Sequence, residues 1–143
     1  MKKSILREYA RLIVRCGVNV QKGQDVLVYA GLDQPEFVTM VTDELYKAGA
    51  RKVFVDFSYQ PLDKFHVRHQ SIKALSAVEA FEEAKLQYMA ERFPVRLYLC
   101  SDDPDGLRGV NIEKMTRGQQ ARYPIVKPYR DQIDGKHQWC IAG

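Results

Sequence analysis

The stretch DVLVYAGLDQPEFVTMVTDELYKAGARKVFVDF, residues 25–57, decides the fold. Its first seven residues form a short, nearly continuous apolar run rich in valine, the pattern of a strand covered on both faces. The following DQPE carries a helix start. Asp33 reads as the N-cap, Pro35 lies in the first turn, and Glu36 stands three residues after Asp33 as a capping box requires. Phe37, Val38, Val41 and Leu45 repeat at helical spacing until Gly49. RKVFVDF, 51–57, is a second buried strand. Strand, helix, strand within one such span is a βαβ unit, whose two strands run parallel.

Working outward, residues 5–16 read as an amphipathic helix with Ile5, Tyr9, Leu12, Ile13 and Cys16 inward and Arg7, Arg11 and Arg15 opposite. Ser4 is placed to cap its start, and Gly17 to end it in the left-handed conformation. Beyond the βαβ unit, the spacing predicts a short helix from about Asp63 to Ala74. A capping box over Ser76–Glu79 then opens a helix that turns Val78, Phe81, Tyr88 and Met89 inward and stops before Pro94. VRLYLC, 95–100, is a third strand; Asn111 caps a helix expected to end or kink at Pro124 or Pro128; HQWCIAG, 137–143, is a fourth strand. The whole is an α/β domain spanning 1–143, an open and mostly parallel sheet of about four strands with helices on both faces. The last strand runs apolar and uncapped to the final residue, which reads as a chain cut at a strand.

Composition narrows the function classes. The 143 residues are 45% hydrophobic and 28% charged, with a net charge of +4, a profile of ordinary soluble domains. The basic residues are dispersed, so a nucleic-acid partner is not expected; the Arg7, Arg11, Arg15 face is the one weak sign of it. Charged residues interrupt the amino-terminal apolar residues, which excludes a signal-peptide core, and no run approaches a membrane span. Cys16, Cys100 and Cys140 are odd in number and widely spaced, which argues against disulfides and cysteine zinc sites and for reduced thiols in a cytoplasmic protein.

Candidate chemical sites are few. The turn after the first strand has one glycine, Gly31, where a dinucleotide loop needs three, and Asp33 and Glu36 would repel phosphate there. His66 and His69 share a helix face but lack a third ligand nearby in sequence. His137 and Cys140 point to opposite faces of a strand, and Asp131 and Asp134 read as solvated groups at a helix end. In SDDPDGLRGVN, 101–111, a calcium loop aligned on Gly106 places Asp103 and Asp105 but puts Ser101 first and Ile112 twelfth, where ligands are required. Turn chemistry accounts for the stretch: Asp102 and Asp103 bond local backbone, Pro104 presets the turn, and Gly106 permits positive φ. The loop nonetheless follows the carboxyl end of a parallel strand, where open sheets place ligands. No catalytic, cofactor-binding or metal-ligating residue is assigned.

Several runs taken in order, GVNVQKGQDVLVYA, FVTMVTDELYKAGARKVFVDF, SDDPDGLRGVN, KPYRDQI and HQWCIAG, resemble the amino-terminal part of the aminopeptidase T / aminopeptidase S family of bacterial metalloaminopeptidases. The resemblance extends from about Ile5 to Ala142. It implies a longer two-domain parent whose carboxy-terminal domain holds two divalent metal ions of the zinc or cobalt type and releases amino-terminal residues from peptides. It implies a homodimer, with no nucleic acid and no membrane as partner. This chain would then be the non-catalytic α/β domain, with no cofactor of its own. The competing reading is a stand-alone doubly wound module for a small molecule or nucleotide.

Overall fold

A computed structural model describes residues 2–100, 105–135 and 139–142. In chain order its elements are α1 (Lys3–Leu12), a π-helical turn (Ile13–Gly17), β1 (Asp25–Gly31), α2 (Pro35–Lys47), β2 (Lys52–Ser58), α3 (Pro61–His69), α4 (Ile72–Ser76), α5 (Ala80–Arg92), β3 (Val95–Leu99), α6 (Ile112–Ile133) and β4 (Trp139–Ala142). They fall into two compact units, one holding α1, α2 and all four strands, the other α3 to α6.

The sheet is open and wholly parallel, in the order β2-β1-β3-β4. Its register aligns Val26 with Val53 and Val95, and Val28 with Val55 and Leu97. Period-two alternation therefore gathers these β-branched and leucine side chains on one face. There they meet Ala10, Ile13 and Val14 of the first helical segment and Val38, Val41 and Leu45 of α2 in one buried cluster. On the reverse face the register pair Tyr29 and Tyr98 stack, ring centroids 4.8 Å apart. Burial pushes the Tyr29 phenol above its ordinary range, Tyr98 adds to the rise, and Arg96 opposes it. Tyr29 thus stays protonated at neutral pH and offers no base.

The βαβ unit forms as its sequence demands, but its helix starts differently. Gln34, not Asp33, is the N-cap, Pro35 is the first helical residue, and no side-chain cap bond closes a box. The Gln34 amide instead donates across to the Leu99 carbonyl at 3.2 Å. α1 also departs from expectation. It starts at Lys3 without a Ser4 cap, and Ile5, Tyr9, Leu12 and Cys16 are exposed, while Ala10, Ile13 and Val14 face the core. The cause is visible in the ion pairs: Arg7 and Arg11, assigned to solvent by their type, reach acids on α2 and turn the helix toward it. Gly17 does not take a left-handed φ; the Val18 amide closes a wide turn onto the Ile13 carbonyl at 2.9 Å, and Asn19 supplies the positive φ. Gly17 packs closely on β4: a Cβ there would lie 3.0 Å from Cys140 Sγ, and that side chain would have to give way.

In the helical unit, the single helix expected over 63–74 is two, α3 and α4, with Ser71 capping the second by accepting from the Ala74 amide at 3.0 Å. The capping box of α5 is Glu79 with Glu82 rather than Ser76 with Glu79, because Ser76 is spent as the last residue of α4. Met89 is buried as expected, but Phe81 is 76% exposed. Phe93 ends α5 in the left-handed conformation ahead of Pro94. α6 runs through Pro124 and Pro128 for 22 residues. The carbonyls that these prolines leave without a donor belong to Gln120 and Pro124, both at exposed positions where water serves them. Bonds from Arg122 and Tyr129 to Glu82 and Glu83 of α5 hold the helix on both sides of Pro124. Among the described residues no helix is long and apolar enough to cross a membrane.

Candidate functional site

The strand order sets where a ligand crevice belongs. From β1 the chain moves outward to β2, then returns past β1 to β3, so the order reverses between β1 and β3. Open α/β sheets place ligands outside the carboxyl ends of the strands at such a reversal. A crevice of about 490 Å³ occupies that edge. Its walls are Leu6 and Tyr9 of α1, Phe37 of α2, and Leu99 and Ala142 at the ends of β3 and β4. Tyr9 and Phe37 stack at 5.7 Å. The Leu32 amide ties the post-β1 loop to Ser58 at 2.8 Å, and the Cys100 amide ties the end of β3 to Ala142 at 2.7 Å, so the rim is held by backbone bonds.

Polar groups at the crevice come from Asp33, Gln34 and Glu36. Pro35 at the first helical position removes one amide that a phosphate could use. Two carboxylates beside the helix start oppose an anion there. Lys3 reaches Glu36 at 3.3 Å, but their side chains are 82% and 60% exposed, so the pair is weak. Among the described lining residues there is no glycine-rich turn of the kind that cradles a phosphate.

A second concavity, of about 790 Å³, lies within the helical unit among α3, α4, α5 and α6. Arg122 anchors it. Its guanidinium grips Glu82 at 2.9 and 3.3 Å and donates to the Ala77 carbonyl at 2.5 Å. The Arg122 hydrogen bond, reinforced by the Glu79 amide, holds the Glu82 carboxyl below its ordinary range. These groups satisfy one another, which is structural bracing.

Among the described residues, the others singled out by sequence do not converge. His66 and His69 are exposed on α3, and His69 stacks on Phe65. Asp131 pairs with Lys127 at 2.7 Å, and Asp134 is the residue after the last turn of α6. Ser101, Asp102, Asp103, Pro104 and His137 lie outside the described residues. Asp105 is exposed and 3.9 Å from Arg108, and the positive φ of this turn falls on Gly109 instead of Gly106. Gly106 serves a close approach, because a Cβ there would collide with the Gln60 side chain. Among the described residues no three His, Cys, Asp or Glu side chains form a group able to hold a metal ion. The residues described thus do not fit a metal centre.

One residue the sequence reading passed over is Glu44, 2% exposed and the sole buried charge among the described residues. Arg11, Arg7 and Lys47 surround its carboxylate at 3.3, 3.6 and 3.9 Å. The signal was present: Glu44 stands three residues after Val41 and seven after Phe37, on the inward stripe of α2. Arg7 and Arg11, two of the three arginines of the basic face, are therefore paired with carboxylates.

The family model for thermophilic metalloproteases (M29) matches residues 2–143. The chain is 30% identical to aminopeptidase PepS of Streptococcus thermophilus over 141 residues, covering 98% of this chain and 34% of that protein. It is 30% identical to aminopeptidase AmpS of Bacillus subtilis over 139 residues, again 34% of that protein. The solved structure of wild-type AmpT from Thermus thermophilus superposes with a TM-score of 0.84 at 28% identity, covering 98% of this chain and 36% of that one. The chain spans about a third of the length of these relatives. It belongs to the M29 metalloprotease family.

Proposed function

We propose that the chain is the non-catalytic amino-terminal α/β part of a metal-dependent aminopeptidase that releases amino-terminal residues from peptides. The carrying observation is coverage: nearly all of this chain matches about a third of each curated aminopeptidase relative. In this reading two divalent ions, of the zinc or cobalt type, are held by the remaining two thirds, in a homodimeric cytoplasmic enzyme. The part described here serves as architecture. Its sheet and α1–α2 layer supply a rigid wall beside the peptide path, with Glu44 fixing the helical layer and Arg122 bracing the helical unit.

The test is an assay of the purified 143-residue chain on aminoacyl anilides with added Zn²⁺ or Co²⁺. No turnover is expected. Metal-dependent hydrolysis that co-purifies with the chain through successive columns would overturn the proposal.

A further inference from the structure

We propose that the outer face of α1 is a self-association surface whose occupant is a second copy of this chain. Ile5, Tyr9, Leu12 and Cys16 form an apolar stripe there, with Ile5 53% and Leu12 57% exposed. Together with Glu8, Arg11 and Arg15 they line one shallow groove of about 600 Å³. The opposite side of the same helical segment, Ala10, Ile13 and Val14, already fills the core. A helix that carries a second apolar stripe beyond the one facing its own core presents a surface for a partner.

The surface is its own complement, as a twofold interface requires. The stripe is spaced by four, three and four residues, which reads the same in both directions. Two copies of α1 packed antiparallel, with the axis midway between Ala10 and Arg11, set Ile5 against the partner's Cys16 and Tyr9 against the partner's Leu12. This is the spacing of side chains that interlock between paired helices. Charge agrees with the same pairing. Within the chain, the ion pairs of the described residues engage Lys3, Arg7 and Arg11, and Arg15 stands exposed outside them. Glu8 and Arg15 are seven residues apart and share one flank of the stripe. In the antiparallel pair that flank meets its own copy. Opposite Glu8 lies the partner's Ile13, and the partner's Arg15 is only two residues, about 3 Å along the axis, beyond it. The Glu8 side chain is 71% exposed, and the oxygen not used by Arg11 is available to that guanidinium. Symmetry forms the pair twice. The stripe is short beside the roughly 800 Å² a side of a stable complex, so the association is weak, with a Kd of about 10–100 μM. The inference concerns this chain alone: a chain that stays monomeric overturns it and leaves the aminopeptidase reading to its own assay.

The experiment is sedimentation equilibrium of the 143-residue chain in reducing buffer, at concentrations spanning about tenfold on either side of that Kd. A rise in average mass from one chain toward two is expected. Leu12→Arg should stay monomeric throughout. Arg15→Glu should weaken association about tenfold, because two attractive pairs become repulsive, and the exchange Glu8→Arg with Arg15→Glu should restore it. Glu8, Leu12 and Arg15 are all exposed, and circular dichroism checks that each variant folds. Phe81→Arg, which alters a side chain 76% exposed on the helical unit, should associate as the unmodified chain does. A single-chain mass at every concentration, undiminished association of Leu12→Arg, loss of association in Phe81→Arg, or failure of the exchange to restore it would each overturn the proposal. The unmodified chain and Phe81→Arg decide the matter even where an α1 variant folds poorly.

Discussion

Replacing Glu44 by glutamine removes one charge from the interior and keeps nearly the same shape. The expected loss is modest, because the partners are not stranded. Arg7 keeps Asp43 at 2.9 Å, Arg11 keeps Glu8, and their side chains are 33% and 43% exposed. Glu44→Gln should therefore cost about 1–2 kcal/mol, the range of a charge-assisted bond partly compensated by water. The reverse cut is asymmetric. Arg7→Met with Arg11→Met leaves a carboxylate 2% exposed with only Lys47, 3.9 Å away, among its former ion-pair partners. An uncompensated buried charge costs about 3–5 kcal/mol. Adding Glu44→Gln to that double variant should then restore stability rather than lower it further. Urea unfolding of the four proteins, with ΔG extrapolated to water, reads the cycle. If the double arginine variant loses no more than Glu44→Gln, or if the triple variant is the least stable, Glu44 is not the buried charge around which α1 and α2 are assembled.

Leu45→Ala should cost about 2–5 kcal/mol in urea unfolding, because Leu45 is fully enclosed in the sheet–helix cluster. Gly49→Ala should cost about 1–3 kcal/mol by the same assay: its φ is +107° and a Cβ would come within 3.0 Å of Lys22 Cα. Glu82 should give the helical unit an acid-sensitive stability. Its carboxyl is held below the unfolded value by Arg122, so its contribution is present above the ordinary carboxylate range and fades as pH falls through the lowered value. Glu82→Gln should flatten that part of the pH–stability curve, and an unchanged acid limb would refute the assignment.

The βαβ unit was legible because its signals agree: a buried apolar run, proline at the first helical position, helical spacing, then a second run. The helix caps were less so, since Asp33 and Gln34 both suit the start of α2 and only tertiary contact with Leu99 selects Gln34. The orientation of α1 misled for a related reason. Ala10 is small and gives little hydrophobic signal, whereas the larger Ile5 and Leu12 drew the predicted face, and distant acids on α2 settled the rotation. The prolines of α6 were read by local rule, but contacts from Arg122 and Tyr129 to α5 override that rule. The crevice could not be read at all, because it exists only once strand order places the ends of β1, β3 and β4 beside Tyr9 and Phe37.

The most direct measurement is the metal content of the purified chain after incubation with Zn²⁺ or Co²⁺ and exhaustive dialysis against metal-free buffer. Far less than one ion per chain is predicted, because the side chains described here offer no grouping that fits a metal. One or two tightly retained ions per chain would contradict the account and place ligands of the metalloprotease centre within these residues.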